Sequence, residues 1–169
     1  MFKSKKQENI SYTVFGIYMV LLAWLILFKF SINFSELDHI RNINFVPFRG
    51  SAIINGHVDI SEIIYNILVF VPLGVYVSIF KPDWSLLRKA LPGLFISLLF
   101  EALQFIFAIG ASDITDLLGN TIGGLVGIVV FFLLKTIFKQ KYITVINSIG
   151  LVVEVIGVAM LGILIIANL

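Results

Sequence analysis

The residues of this chain with the chemistry to do something are polar side chains set inside long apolar runs. Asn66 interrupts Tyr65-Asn66-Ile67-Leu68-Val69-Phe70-Val71-Pro72, and Glu101 and Gln104 interrupt Leu98-Leu99-Phe100-Glu101-Ala102-Leu103-Gln104-Phe105. Asp113, Asp116 and Asn120 lie in a third such stretch, between Gly110 and Gly124. A carboxylate at the centre of a membrane helix costs about 2.5–3.5 kcal/mol on insertion scales, so several in one small protein call for a common purpose. Glu101 and Asp116 have the chemistry for acid and base work. Their spacing names no substrate, and no catalytic residue is assigned. A serine and histidine dyad needs a histidine beside the reacting bond, whereas His39 and His57 both fall outside the apolar runs. The same two histidines make a poor metal set, and neither a metal nor a cofactor is expected. The chain has no cysteine, which excludes disulfides, thiolate catalysis and Cys-ligated zinc.

The elements that must position these groups follow from composition. The chain is 59% hydrophobic and 13% charged, with a mean hydropathy of +1.05. A soluble domain is about 45–50% apolar and about 25% charged. The fold class is therefore an all-α polytopic membrane protein. Runs long enough for the roughly 30 Å hydrocarbon core lie near Tyr12–Phe30, Ile60–Phe80, Ala90–Ile109, Ile114–Phe138 and Ile143–Ala167. Five transmembrane helices leave no room for a soluble domain, so residues 1–169 read as a single membrane domain in the cell membrane. The first run follows lysines as a signal peptide would, yet it is long and lacks a small-residue cleavage site, which marks a retained helix.

Lys3, Lys5 and Lys6, then Lys81, Arg88 and Lys89, then Lys135, Lys139 and Lys141 alternate onto one side of this arrangement. Only Lys29, Arg41 and Arg49 fall on the other. The positive-inside rule places the N-terminus in the cytoplasm and the C-terminus outside. The basic pI near 8.9 then reflects inner-face lysines, and no nucleic-acid partner is implied. No internal copy of the Glu-x-x-Gln or Asp-x-x-Asp patterns exists, which argues against an inverted-repeat transporter.

Depth and helix face relate the polar residues to one another. At about 1.5 Å per residue, Asn66 lies roughly 10 Å below the outer end of the second helix, and Asn120 lies at a similar depth in the fourth. On the same scale Gln104 lies about 8 Å and Glu101 about 12 Å from the outer end of the third helix, while Asp116 stands in the first turn of the fourth. Residues three or four apart share a helix face, which pairs Glu62 with Asn66, Glu101 with Gln104 and Asp116 with Asn120. Lipid would not solvate these faces. The expectation is one outward-opening polar pocket formed by Asn66, Glu101, Gln104, Asp116 and Asn120, with Arg49 and Arg41 of the outer loop as counter-charges.

Plainer roles compete. Asp59 and Asp113 suit helix capping, and Asn66, Gln104 and Asn120 suit interhelical bonds worth about 0.6 kcal/mol each. Glu154 is deep in the fifth helix without polar neighbours at helical spacing, facing a partner or a cavity. Pro72 deprives the Leu68 carbonyl of its bond and should kink the second helix. Gly119, Gly123 and Gly127, with Gly124 beside them and Gly74 nearby, allow close helix approach. In the outer loop Ser31–Asp59, the run Phe45-Val46-Pro47-Phe48 either dips into the membrane or lies on its surface.

Together these pieces resemble the VanZ-like family of small bacterial membrane proteins. The matching motifs are Asn44-Phe45-Val46-Pro47-Phe48-Arg49, Asn66 with Phe70-Val71-Pro72-Leu73-Gly74, Glu101-Ala102-Leu103-Gln104, and Asp116-Leu117-Leu118-Gly119-Asn120-Thr121-Ile122-Gly123-Gly124. They cover a motif core of about 44–127. Many relatives carry a Gly-Arg before the acidic stretch, whereas Gly110 is followed here by Ala111, so no role attaches to that arginine. The resemblance implies a multi-helix cell-envelope protein, the name-giving member of the family being associated with teicoplanin resistance. The leading expectation is a non-enzymatic factor that changes glycopeptide or lipoglycopeptide susceptibility through its pocket. Its partner would be a membrane lipid, a lipid-linked cell-wall precursor, a lipoglycopeptide or an envelope protein. The alternatives are a membrane enzyme or lipid translocator using Glu101 and Asp116, and a structural subunit of an envelope assembly.

Overall fold

Apolar runs punctuated by caps and turns give five α-helices among the described residues. A computed structural model describes residues 2, 4–28, 42–47, 53–54, 57–58, 60–110 and 112–167. The helices are α1 (Lys5–Phe28), α2 (Ser61–Phe80), α3 (Leu86–Phe107), α4 (Ile114–Phe138) and α5 (Tyr142–Ala167). Four helical stretches are long and apolar enough to cross a membrane, the fourth being the 50-residue stretch Ile114–Ile163. That last stretch holds α4 and α5 together. Unbroken, it would run about 75 Å, more than twice the hydrocarbon thickness. The chain breaks it at a 3-10 turn, Lys139–Lys141, where Lys139 takes a positive φ of 46°.

Side-chain contacts fix the direction of each helix. Tyr18 of α1 meets Val69 of α2 while Tyr12 meets Phe80, so α1 and α2 are antiparallel. Ser97 of α3 meets Asn120 of α4 while Gly93 meets Gly124, which makes that pair antiparallel too. In contrast, α2 and α4 are parallel: Gly119 lies against Ile63, Gly123 against Ile67 and Gly127 against Val71. The helices α1 and α5 are also parallel, with Gln7 on Thr144, Ser11 on Asn147 and Val14 on Gly150.

The α2/α4 seam is the closest in the bundle. A Cβ on Gly123 or Gly127 would strike the carbonyl oxygen of Ile67 or Val71, and one on Gly74 would strike that of Gly124. Small residues are needed there because backbone meets backbone. Phe70, Leu73, Phe100 and Leu22 fill one side of this seam, and Val14, Tyr76, Ile79, Phe131 and Ile146 fill the other.

Pro72 lies within α2, and Pro92 within α3. One turn before Pro72, the Val69 carbonyl accepts a 2.8 Å hydrogen bond from the Tyr18 hydroxyl of α1. This bond stands beside the Leu68 carbonyl, the one that Pro72 deprives of an N–H, and fastens α1 to α2 in the turn before the proline.

Two short strand pairs complete the described structure, one of which ties a loop to the start of a helix. Strand β1 (Ile43–Asn44) pairs in parallel with β4 (Ser112–Asp113), the segment leading into α4. A second pair, β2 (Ile53–Ile54) with β3 (His57–Val58), is antiparallel. Asp59 and the arginines Arg41 and Arg49 lie outside the described residues. The residue preceding α2 is Ile60, which makes no side-chain cap bond. Phe45 and Val46 are exposed, and the Val46 N–H bonds back to Asn44 Oδ1.

Candidate functional site

The polar residues at the bridged end are assembled through the β1–β4 pairing. Asp113 does two things at once: Oδ1 accepts from the Thr115 N–H at 2.7 Å, capping α4, while Oδ2 accepts from Asn44 Nδ2 at 2.9 Å. Its own N–H donates to Glu101 Oε2 at 3.0 Å. The neighbouring Ser112 hydroxyl donates to the Glu101 carbonyl at 2.8 Å, and the Ser112 N–H donates to the Asn42 carbonyl. Glu101 therefore clasps the turn that begins α4. A few residues on, Asn66 Nδ2 donates to Asp116 Oδ1 at 2.6 Å and joins α2 to α4. Gly119 makes room for this pair, since a Cβ there would come within 3.3 Å of Asn66.

The anticipated single cluster is divided among several contacts. Asn66 and Asp116 meet, and Glu101 joins Asp113 and Asn44, but Gln104 and Asn120 bond elsewhere. Gln104 Nε2 donates across to the Ile26 carbonyl of α1 at 3.0 Å. Asn120 Nδ2 donates to Ser97 Oγ of α3 at 2.9 Å. A three-residue step turns about 60° around a helix, which suffices for Glu101 and Gln104 to address different neighbours. Both amides are buried, and among the described residues neither Gln104 Oε1 nor Asn120 Oδ1 has a hydrogen-bond partner. Arg49 lies outside the described residues, so its expected place beside the cluster has no described counterpart.

Sequence reasoning passed over several participants. Asn44 stood at the head of a recognised motif but was given no role, because a two-residue bridge leaves no periodic signal. Asp113 was read as a cap; its second oxygen also receives Asn44. Ser97 was missed because a serine in an apolar helix is usually self-satisfied by its own backbone.

Glu154 lies deep in α5, on the face that carries Asn147 two turns earlier. Asn147 donates to Ser11 Oγ at 2.9 Å and accepts from the Tyr76 hydroxyl at 3.2 Å, while Ser11 in turn bonds the Gln7 carbonyl. Glu154 is 5% exposed, and among the described residues neither carboxylate oxygen has a hydrogen-bond partner.

A helical bundle with apolar exteriors, a backbone-to-backbone glycine seam and a polar knot at one end defines a class: small multi-helix proteins whose helices are long and apolar enough to cross a membrane and whose polar motif gathers at one end. The chain belongs to the VanZ/LLP1 family, whose signature matches residues 15–135. It is 37% identical over 128 residues to Protein VanZ of Enterococcus faecium, covering 75% of this chain and 76% of that relative. No solved structure matches it. The matched segment contains Glu101, Asp116 and their partners. Ser11, Asn147 and Glu154 fall beyond it.

Proposed function

We propose that this is a five-span protein of the cell membrane, N-terminus inside and C-terminus outside, whose outer polar knot modulates teicoplanin susceptibility. The knot does so by binding a lipid, a lipid-linked cell-wall precursor, the lipoglycopeptide or an envelope protein. The observation that carries this reading is the pairing of Asn66 with Asp116 beside the Glu101–Asp113–Asn44 junction. These motif residues gather at the end away from Lys81, Arg88, Lys135 and Lys139, which favours an outward site by the positive-inside rule. Alternation of helix direction supports five crossings. Glu101 holds a backbone N–H and Asp116 holds an amide, a use of carboxylates that favours shaping a binding surface over proton transfer.

The test combines Glu101→Gln and Asp116→Asn with tags at Lys141 and the C-terminus. The tags should report inside and outside respectively. Both variants should reach wild-type abundance in the membrane and abolish the teicoplanin-selective change in susceptibility that expression produces. Loss of abundance supports a purely structural knot instead. No change in susceptibility on deletion or overexpression of the wild type would overturn the proposal.

A further inference from the structure

At the lysine end, opposite the knot, the parallel α1 and α5 leave two adjoining surface hollows between them. The larger, about 600 Å³, has Lys5, Lys6 and Asn9 at its mouth and Ile10, Val14 and Leu151 along its walls. The smaller, about 320 Å³, shares Lys6, Ile10 and Leu151 and adds the polar floor of Gln7, Thr144 and Asn147. That floor is rigid. Gln7 Nε2 donates to Thr144 Oγ1, and Asn147 is held by both Ser11 and Tyr76.

Lining chemistry changes along the helix axis. The mouth is cationic and the next turn polar, while the walls farther in are mostly aliphatic, with Thr13 between Ile10 and Val14. Lys139 and Lys141 stand on the turn that leads into α5, so more positive charge lies beside the same opening. Glu8 is the acidic residue of the first turn of α1 and lines neither hollow.

We propose that this groove is a binding site for an anionic phospholipid of the adjacent leaflet. The phosphate lies against Lys5 and Lys6, the glycerol hydroxyls meet the Thr144 and Asn147 floor, and an acyl chain follows Ile10, Val14 and Leu151. The order of charges, polar groups and apolar wall matches the order of groups in such a lipid. A soluble phosphate would use only the mouth. Basic residues near a membrane surface contribute about 1 kcal/mol each towards an anionic headgroup. The site lies largely outside the family-matched segment and does not depend on the function proposed for the knot.

The experiment measures lipid binding by full-length protein in neutral detergent, using native mass spectrometry with phosphatidylglycerol or phosphatidylcholine titrated in. Phosphatidylglycerol should bind in preference to phosphatidylcholine, and Lys5→Gln/Lys6→Gln should weaken it about 30-fold. Arg88→Gln/Lys135→Gln, which removes equal charge from the same end, should change it less than about twofold. Ile10→Trp fills the wall without altering charge and should weaken binding as well. Equal losses in the two charge variants, no headgroup preference, or displacement by millimolar glycerol phosphate would each overturn the site.

Discussion

Two parallel seams hold this bundle together by opposite means. Along α2/α4, glycines bring backbones into direct contact, and the polar residues Asn66 and Asp116 pair at one end. Along α1/α5, side chains intervene: Gln7 with Thr144, Ser11 with Asn147, and Val14 over Gly150. In lipid, close van der Waals packing and interhelical hydrogen bonds are the two available sources of specific association, and the two seams weight them differently. The backbone seam lies inside the family-matched segment. The side-chain seam straddles its boundary and carries the buried carboxylate of Glu154.

The comparison breaks most sharply at the glycines. Gly123→Leu has nowhere to go, because the Ile67 carbonyl and Phe70 Cβ occupy the space. Overpacking usually costs about 1–3 kcal/mol, and a clash with backbone should exceed that, removing folded protein from the membrane fraction. Gly157→Leu on α5 faces only Leu21 Cδ1 at 3.7 Å and should cost less than about 1 kcal/mol by thermal unfolding in detergent, since the long side chain can yield. Equal damage would refute the distinction between the seams.

Glu154→Leu is expected to move stability the other way. Its carboxylate is buried without a hydrogen-bond partner among the described residues, and an unsatisfied buried polar group costs about 1–3 kcal/mol. The leucine variant should unfold at higher temperature, whereas a loss of stability would mean that the carboxyl has a partner the folded protein needs.

The smallest expected effect lies at the joint between the seams. Lys139 has φ 46° and ψ −116°, a conformation suited to glycine. Lys139→Gly should stabilise the protein by about 1 kcal/mol or less, read from the same unfolding curves.

Hydropathy alone made the helices legible. The expected Ile114–Phe138 coincides with α4, and the other apolar runs meet their helices to within a few residues, except that α1 begins at Lys5. The expected start at Tyr12 was late because Lys5, Lys6 and Glu8 carry no apolar signal, although Ser4 caps the turn by accepting from the Gln7 N–H. The glycine spacing announces a close contact, and the motif residues put Asn66 and Asp116 in one expected cluster without pairing them. Which helix each polar face would meet was harder to read. A face of Asn147 and Glu154 becomes visible only when α5 is laid beside α1, a neighbour 136 positions away at Ser11. Asn44 likewise acquires meaning from Asp113, through a pairing too short to leave a pattern.

The hydroxyl of Tyr18 on the Val69 carbonyl has a consequence for biosynthesis. The bond crosses from α1, which is synthesised first, to α2, which lies antiparallel beside it. It falls in the turn before Pro72, where α2 is least able to hold itself straight. The two helices are thus suited to leave the insertion machinery together, as a hairpin already fastened at its weakest turn.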